Sequence, residues 1–322
     1  MRKLAWVVVS LLVITACTAP AATALPSPLP GVTAPQVTQQ LNPTPAPSGT
    51  PTQTLLVAPT VTASLSPTAT STSTATPVAF QVCSPLQDIT LNELSSIVTT
   101  PFKAPTVGRD DGHHGVDFAY YHRGSHTEML GLPVYSVLPG KVIAVVNDRP
   151  PYGNAIIIET PLTNLPADFL ESLGLQFQPT PAVLDGRLTC PTPAAPPAWL
   201  PTQSESNPSN GSNPSTPTLP DHYSLYILYA HFKDPPTLAV GDEVTCGEAI
   251  GAVGNTGNSG NPHLHLETRF GPSGATFTGI SHYNNLATAE EMSNYCTWRI
   301  SGVFQLFDPM IFFNLAIKFP QP

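Results

Sequence analysis

His263 and His265 stand two residues apart in Asn261-Pro262-His263-Leu264-His265-Leu266-Glu267, just after the glycine-rich run Gly254 to Gly260. The alternation of polar and apolar residues predicts a β-strand, in which residues two apart share a face. Both imidazoles then enter one groove while Leu264 and Leu266 pack behind them. Such a pair can bind one metal ion, or divide into a ligand and a proton carrier. An edge strand carrying two solvated histidines has the same pattern. A second constellation is Gly112-His113-His114-Gly115-Val116-Asp117, with His113 and Asp117 four apart. That spacing would align them on a helix, but Gly112 and Gly115 oppose one. A loop entering a strand fits better, with His113 and Asp117 as metal ligands or as a polar turn. His231 stands near the end of the largely apolar run Tyr223 to Phe232. His114, His122, His126, His222 and His282 fit no ligand spacing, and surface or loop roles are expected for them. The chain has no HExxH, no Gly-x-Ser-x-Gly elbow, and no G-x-G-x-x-G or P-loop lysine around Gly251, Gly254 and Gly257.

The elements around these residues are mainly strands. A short helix is expected near Leu91 to Ile97. Val134 to Leu138, the Pro139-Gly140 turn and Lys141 to Val146 read as a hairpin. Ala155 to Thr160, Tyr223 to Phe232 and Ile250 to Val253 read as further strands. Pro161 opens a stretch without clear periodicity that includes Pro191 to Pro201 and Ser204 to Ser215, and 161–221 is read as an insertion loop.

Charged residues make up only 10% of the chain, and the formal charge is −9. There is no basic footprint for nucleic acid and no polybasic signal for anionic lipid. Arg2-Lys3 precede an apolar run from Leu4 to Ala16, short for a bilayer span but suited to an export signal. The run ends in Ile14-Thr15-Ala16-Cys17, which resembles a bacterial lipobox. That resemblance implies a signal peptide over 1–16 and a lipidated Cys17. Cleavage after Ala24 would instead release a secreted protein. Residues 17–80, rich in Pro, Thr, Ser and Ala and free of charge, cannot bury enough apolar surface to offset their ordering entropy. They read as a disordered linker, about 45 Å long as a coil and roughly 190 Å as polyproline II. The folded domain is expected over 81–322.

Four ordered blocks carry a family resemblance: His113-His114-Gly115-Val116-Asp117, Tyr229-Ala230-His231, Gly241-Asp242-Glu243-Val244 with Gly247-Glu248-Ala249-Ile250-Gly251, and Pro262-His263-Leu264-His265-Leu266-Glu267. Pro133-Val134-Tyr135, Tyr152-Gly153-Asn154 and Phe307-Asp308-Pro309 accompany them. Together they resemble peptidoglycan metalloendopeptidases of the M23 family, the LytM/lysostaphin type. The resemblance implies a mainly β fold, an antiparallel sheet with a groove and long loop insertions. It implies one Zn2+ per chain on His113, Asp117 and His265, and catalytic roles for His231 and His263. Which of those two is the general base stays open. Two imidazoles and one carboxylate leave a coordination position for water and substrate. The implied activity is zinc-dependent hydrolysis of peptide bonds in peptidoglycan stem peptides or cross-bridges, by a monomer anchored outside the cytoplasmic membrane. The alternative is a non-catalytic wall-binding or amidase-activating module on the same fold.

Export implies an oxidising compartment, so Cys83, Cys190, Cys246 and Cys296 are expected to form two disulfides. Of the three possible connectivities, Cys190 with Cys246 and Cys83 with Cys296 is the preferred one.

Overall fold

The computed structural model describes residues 80–106, 109–120, 122, 124–125, 127–175, 190–192, 197–199 and 222–319. The expected signal peptide, Cys17 and the expected linker lie outside the described residues, as does most of 176–221. Among the described residues, no helix is long and apolar enough to cross a membrane.

A 3-10 helix spans Leu91–Ile97, opened by a reciprocal cap in which Glu93 accepts from the Thr90 backbone N–H. The strands follow as β1 (Val98–Thr100), β2 (Val116–Phe118), β3 (Pro133–Tyr135), β4 (Gly140–Arg149) and β5 (Gly153–Pro161). Helix α1 (Ala167–Leu173) comes next, then β6 (Tyr223–Phe232), β7 (Glu243–Val244), β8 (Ala249–Ala252) and β9 (Leu264–Pro272). The chain closes with α2 (Ala289–Arg299), β10 (Gln305–Phe307) and α3 (Pro309–Ala316). The main sheet runs β1-β2-β9-β6-β5-β4-β7, with β10 paired to the later part of β9. Every pairing in it is antiparallel.

Both faces of this sheet are covered, which explains why Ile156-Ile157-Ile158 reads as an unbroken apolar run rather than an alternation. Along β6, Leu225, Ile227 and Tyr229 enter one core with Phe169 of α1 and Phe312 and Phe313 of α3. Tyr226, Leu228 and Ala230 enter a second core with Phe277, Trp298 and Phe304. Each buried Leu, Ile or Phe among them contributes about 1.5–3 kcal/mol relative to exposure.

Three expectations change. The hairpin of Val134 to Val146 does not form: β3 pairs with β8 in a separate two-stranded sheet, and β4 pairs with β5 and β7. At Gly140 the chain crosses so close to β5 that a Cβ would lie 2.3 Å from the Glu159 carbonyl oxygen. The Pro139-Gly140 pair is therefore a crossover between sheets, chosen for close approach rather than for a turn. The stretch beginning at Pro161 is not irregular throughout, because α1 buries Phe169, Leu170 and Leu173 against the first core. The disulfides are Cys83–Cys246 and Cys190–Cys296, so two bridges form, but not with the preferred connectivity of Cys190 with Cys246 and Cys83 with Cys296. Cys83, whose backbone N–H donates to the Val137 carbonyl after β3 at 2.9 Å, meets Cys246 in the turn before β8, and Cys296 sits on α2 in the second core.

Candidate active site

Strand β9 is central: His265 is its second residue, and His263 stands just before it, bridged to Gly254. In register, Asp117 of β2 lies opposite His265, and Ala230 of β6 lies opposite His265 on the other side. His113 comes from the loop before β2 and is held by antiparallel backbone hydrogen bonds to Lys103. The sequence-expected metal ligands therefore meet: His113 Nε2 is 3.1 Å from Asp117 Oδ1 and 3.2 Å from His265 Nδ1, and His265 Nδ1 is 2.9 Å from Asp117 Oδ1. Tetrahedral zinc with bonds of 2.0–2.1 Å sets its donor atoms about 3.3 Å apart, so this triangle is nearly the size the ion needs.

The outer nitrogens are also engaged in the sense a metal site requires. His113 Nδ1 donates to the Pro101 carbonyl at 2.9 Å, and His265 Nε2 donates to Glu267 Oε1 at 3.3 Å. Each bond sets which ring nitrogen turns to the triangle and would hold the ion once it has no proton. Two imidazoles and one carboxylate are a donor set that fits zinc.

The two candidate catalytic histidines stand on the same side. His231 and His263 have ring centroids 4.7 Å apart, and His263 Nε2 is 3.5 Å from Asp117 Oδ1. His231 Nδ1 donates to the Thr256 carbonyl and His263 Nδ1 to the Asn261 carbonyl, each at 2.7 Å. Both rings thus leave Nε2 as a possible proton acceptor. His231 adopts a left-handed backbone, φ 65°, unusual for a non-glycine and frequent at functional positions. The glycine-rich run packs tightly against it: a Cβ on Gly254 would lie 2.2 Å from the Lys233 nitrogen. The five residues line one groove of about 300 Å³ with Pro151, Tyr152, Asn258, Gly260, Asn261 and Arg299.

Charge follows from burial. Burial, with the neighbouring His265 and His263 rings, lowers the His231 pKa to about 3, so the ring is neutral at neutral pH. For His265 burial acts downward, but hydrogen bonds to Asp117 and Glu267 outweigh it and raise the pKa to about 9. Burial would raise the Asp117 pKa, yet the imidazoles of His113, His263 and His265 around its carboxylate hold it far below the usual range.

Residues 216–276 match the model of peptidase family M23. The match is to a segment of the chain and not to the whole of it. That segment spans β6 to β9 and includes His231, His263 and His265, whereas His113 and Asp117 precede it. None of the curated proteins matches the chain. Among solved structures, a zinc containing peptidase from Vibrio cholerae is similar at 23% identity, with 53% of this chain and 32% of that one covered and a TM-score of 0.26. The catalytic domain of the prophage-encoded M23 protein EnpA from Enterococcus faecalis is similar at 18% identity, with 56% and 85% covered and a TM-score of 0.29. The catalytic domain of lysostaphin from Staphylococcus simulans is similar at 17% identity, with 70% and 99% covered and a TM-score of 0.32. The chain thus spans about a third of the Vibrio cholerae peptidase.

Beneath the groove lies a buried polar network that no motif in the sequence singles out. Glu267 is fully buried and accepts from His265, Tyr152, Arg269, Trp298 and Arg299. Burial would raise its pKa, but Arg269, His265 and Arg299 hold it well below the carboxylate range. Its signal was present: on a strand of period two, His263, His265, Glu267 and Arg269 share one face. His114 is not a surface residue. It is buried, its Nδ1 accepts from Arg269 Nη2 at 2.8 Å, and burial lowers its pKa to about 3. His282 is also buried, its ring against Tyr283 and Tyr295. Trp298 and Arg299 arrive from α2, within the segment between β9 and β10. That segment covers the second face of the sheet and reaches the groove, a placement no local sequence pattern announces.

Proposed function

We propose that this chain is a zinc-dependent endopeptidase that hydrolyses peptide bonds in peptidoglycan stem peptides or cross-bridges. The observation that carries the reading is the convergence of His113, Asp117, His265, His231 and His263 at the floor of one groove. The M23 segment supports the same reading. His113, Asp117 and His265 would hold the ion. Zinc in that position supplies Lewis acidity toward a peptide carbonyl and toward water. His231 and His263, each with Nδ1 tied to a backbone carbonyl, keep Nε2 free to take a proton from water and return one to the leaving amine. Glu267 fixes the His265 tautomer, and Thr256 and Asn261 fix the other two.

The reading includes a place in the cell. Cleavage before Cys17 and acylation of its sulfur would anchor the chain outside the cytoplasmic membrane, and two or more acyl chains make such anchoring stable. Residues 17–80 would then serve as a tether of tens to roughly 190 Å toward a polymer at some distance. The protein acts as a monomer in this account.

The test is to incubate the purified, zinc-loaded chain with sacculi of several cross-link chemistries and analyse the soluble products by mass spectrometry. New peptide termini with intact glycan strands are expected, and His231→Ala should abolish them. The assay is repeated with residues 200–220 shortened, which spares α1 and Cys190. If that variant also releases nothing, the endopeptidase reading is wrong and a wall-binding module takes its place.

A further inference from the structure

Arg299 reaches the groove from α2, beyond the end of the M23 segment. Its guanidinium has five N–H donors in a rigid planar fork. Nε donates to Asp110 Oδ1 at 2.6 Å, and Nη1 donates to the Tyr152 hydroxyl at 3.1 Å and to Glu267 Oε1 at 3.3 Å. Those bonds use three of the five. Nη2 meets no acceptor among the described residues, and no fully buried side-chain nitrogen there lacks a partner. Nη2 therefore lies on the open side of the guanidinium. The side chain is 12% exposed, and Arg299 lines the same groove as His113, Asp117, His231, His263 and His265.

The fork is held before any ligand arrives. Its central carbon lies 5.5 Å from the Tyr295 ring centroid and 5.9 Å from that of Tyr152. Asp110, which anchors Nε, is itself fixed by the hydroxyls of Tyr283 and Tyr295 at 2.6 and 2.5 Å. Ordering a long side chain beforehand removes an entropic cost of binding. The position relative to the ligand triangle follows from Glu267 Oε1, which accepts from His265 Nε2 and Arg299 Nη1 at 3.3 Å each. Two such contacts and one imidazole ring place the guanidinium within roughly three residues of extended peptide from the triangle.

Charge selects the kind of acceptor. Arg299 and Arg269 face Asp110 and Glu267, so the formal charges of the cluster cancel. A further carboxylate would be left without a countercharge, whereas a neutral carbonyl needs only a donor. We propose that Arg299 is a substrate-contacting residue whose Nη2 donates to a backbone carbonyl of the peptide in the groove, within about three residues of the scissile bond. This rests on the peptidase reading above.

The test uses the full chain and soluble muropeptides released by a muramidase from sacculi that the wild-type protein digests. Arg299→Lys keeps the positive charge but cannot hold Asp110 and Glu267 while also projecting a second nitrogen. KM should rise about tenfold or more, the usual loss for a hydrogen bond from a charged donor. Zinc content and affinity should stay unchanged. An unchanged KM overturns the proposal. So does a fall in zinc affinity that tracks kcat with KM constant, because Arg299 would then only prop Glu267. A second measurement does not depend on that variant folding. In full-length His231→Ala, the Arg299 side-chain 15N–1H resonances should shift on adding the muropeptides. Movement of other groove resonances without Arg299 also overturns the proposal. Failure of the wild-type chain to digest any sacculus would instead remove the proposed function, and this inference with it.

Discussion

Replacing Glu267 by Gln changes one atom and keeps the shape of the side chain, yet it should be among the most damaging conservative substitutions in the chain. Glu267 Oε1 accepts from the Tyr152 hydroxyl at 2.8 Å, His265 Nε2 at 3.3 Å and Arg299 Nη1 at 3.3 Å. Oε2 accepts from Arg269 Nε at 3.0 Å, Arg269 Nη2 at 2.9 Å and Trp298 Nε1 at 3.1 Å. In either orientation a Gln amide turns its NH2 toward three donors, and no flip relieves the conflict. The substitution also removes the carboxylate that faces Arg269 at 2.9 Å in a dry interior. Breaking one partner of a buried ion pair costs about 3–5 kcal/mol. For a folded unit of this size, each kcal/mol moves Tm by roughly 2–4 °C, so Tm should drop by about 6–20 °C. Zinc affinity should fall as well, by about 10–100-fold, because His265 loses the acceptor that sets its tautomer. Thermal melting of metal-free protein and competition with a chromophoric chelator measure the two effects separately. A Tm loss under about 3 °C together with a Kd within twofold of wild type would refute the reasoning.

Further expectations concern metal, protons and cysteines. His265→Ala should abolish zinc binding by elemental analysis while His263→Ala retains about one zinc per chain; the opposite result would reverse the roles within the pair. With its pKa near 9, metal-free His265 is protonated at pH 7, so zinc uptake should release about one proton, measured by titration calorimetry in buffers of different ionisation enthalpy. His114 is held at about 3 when folded against about 6.5 unfolded, so between those values the unfolded chain binds the extra proton and stability falls as pH falls. Replacing it by Gln should flatten that slope by about 1.4 kcal/mol per pH unit in denaturation curves between pH 6.5 and 5. Non-reducing peptide mapping should recover Cys83–Cys246 and Cys190–Cys296; a Cys190–Cys246 peptide would contradict the structure.

Much of the site was legible because it is written in short-range spacing. The alternation through His263 and His265 gave a strand face, and Gly112 and Gly115 correctly kept His113 and Asp117 off a helix. Tyr223 to Phe232 was readable to the residue, and a short helix near Leu91 to Ile97 was readable in place, though not as a 3-10 helix. What was missed depends on contacts between distant segments. Pro139-Gly140 looks like a hairpin turn locally, and only the approach of β5 makes it a crossover. His114 looks solvated until Arg269 and the second core enclose it. The disulfide partners depend on where the turn before β8 and helix α2 come to rest, which four spacings cannot encode. Arg299 was illegible for the same reason, since nothing near it in sequence signals that α2 ends at the groove.

Strand β9 has a partner on each side over nearly all its length: β6 along one edge, β2 and then β10 along the other. The backbone donors and acceptors at the heart of the site are therefore already consumed. A ligand here cannot be recognised by joining the sheet as one more strand, a mode that reads main chain and tolerates many sequences. It must lie across the face and be read by side chains and by the loops at the rim. Selectivity is then open to revision one side chain at a time, without disturbing the hydrogen-bonded frame beneath it.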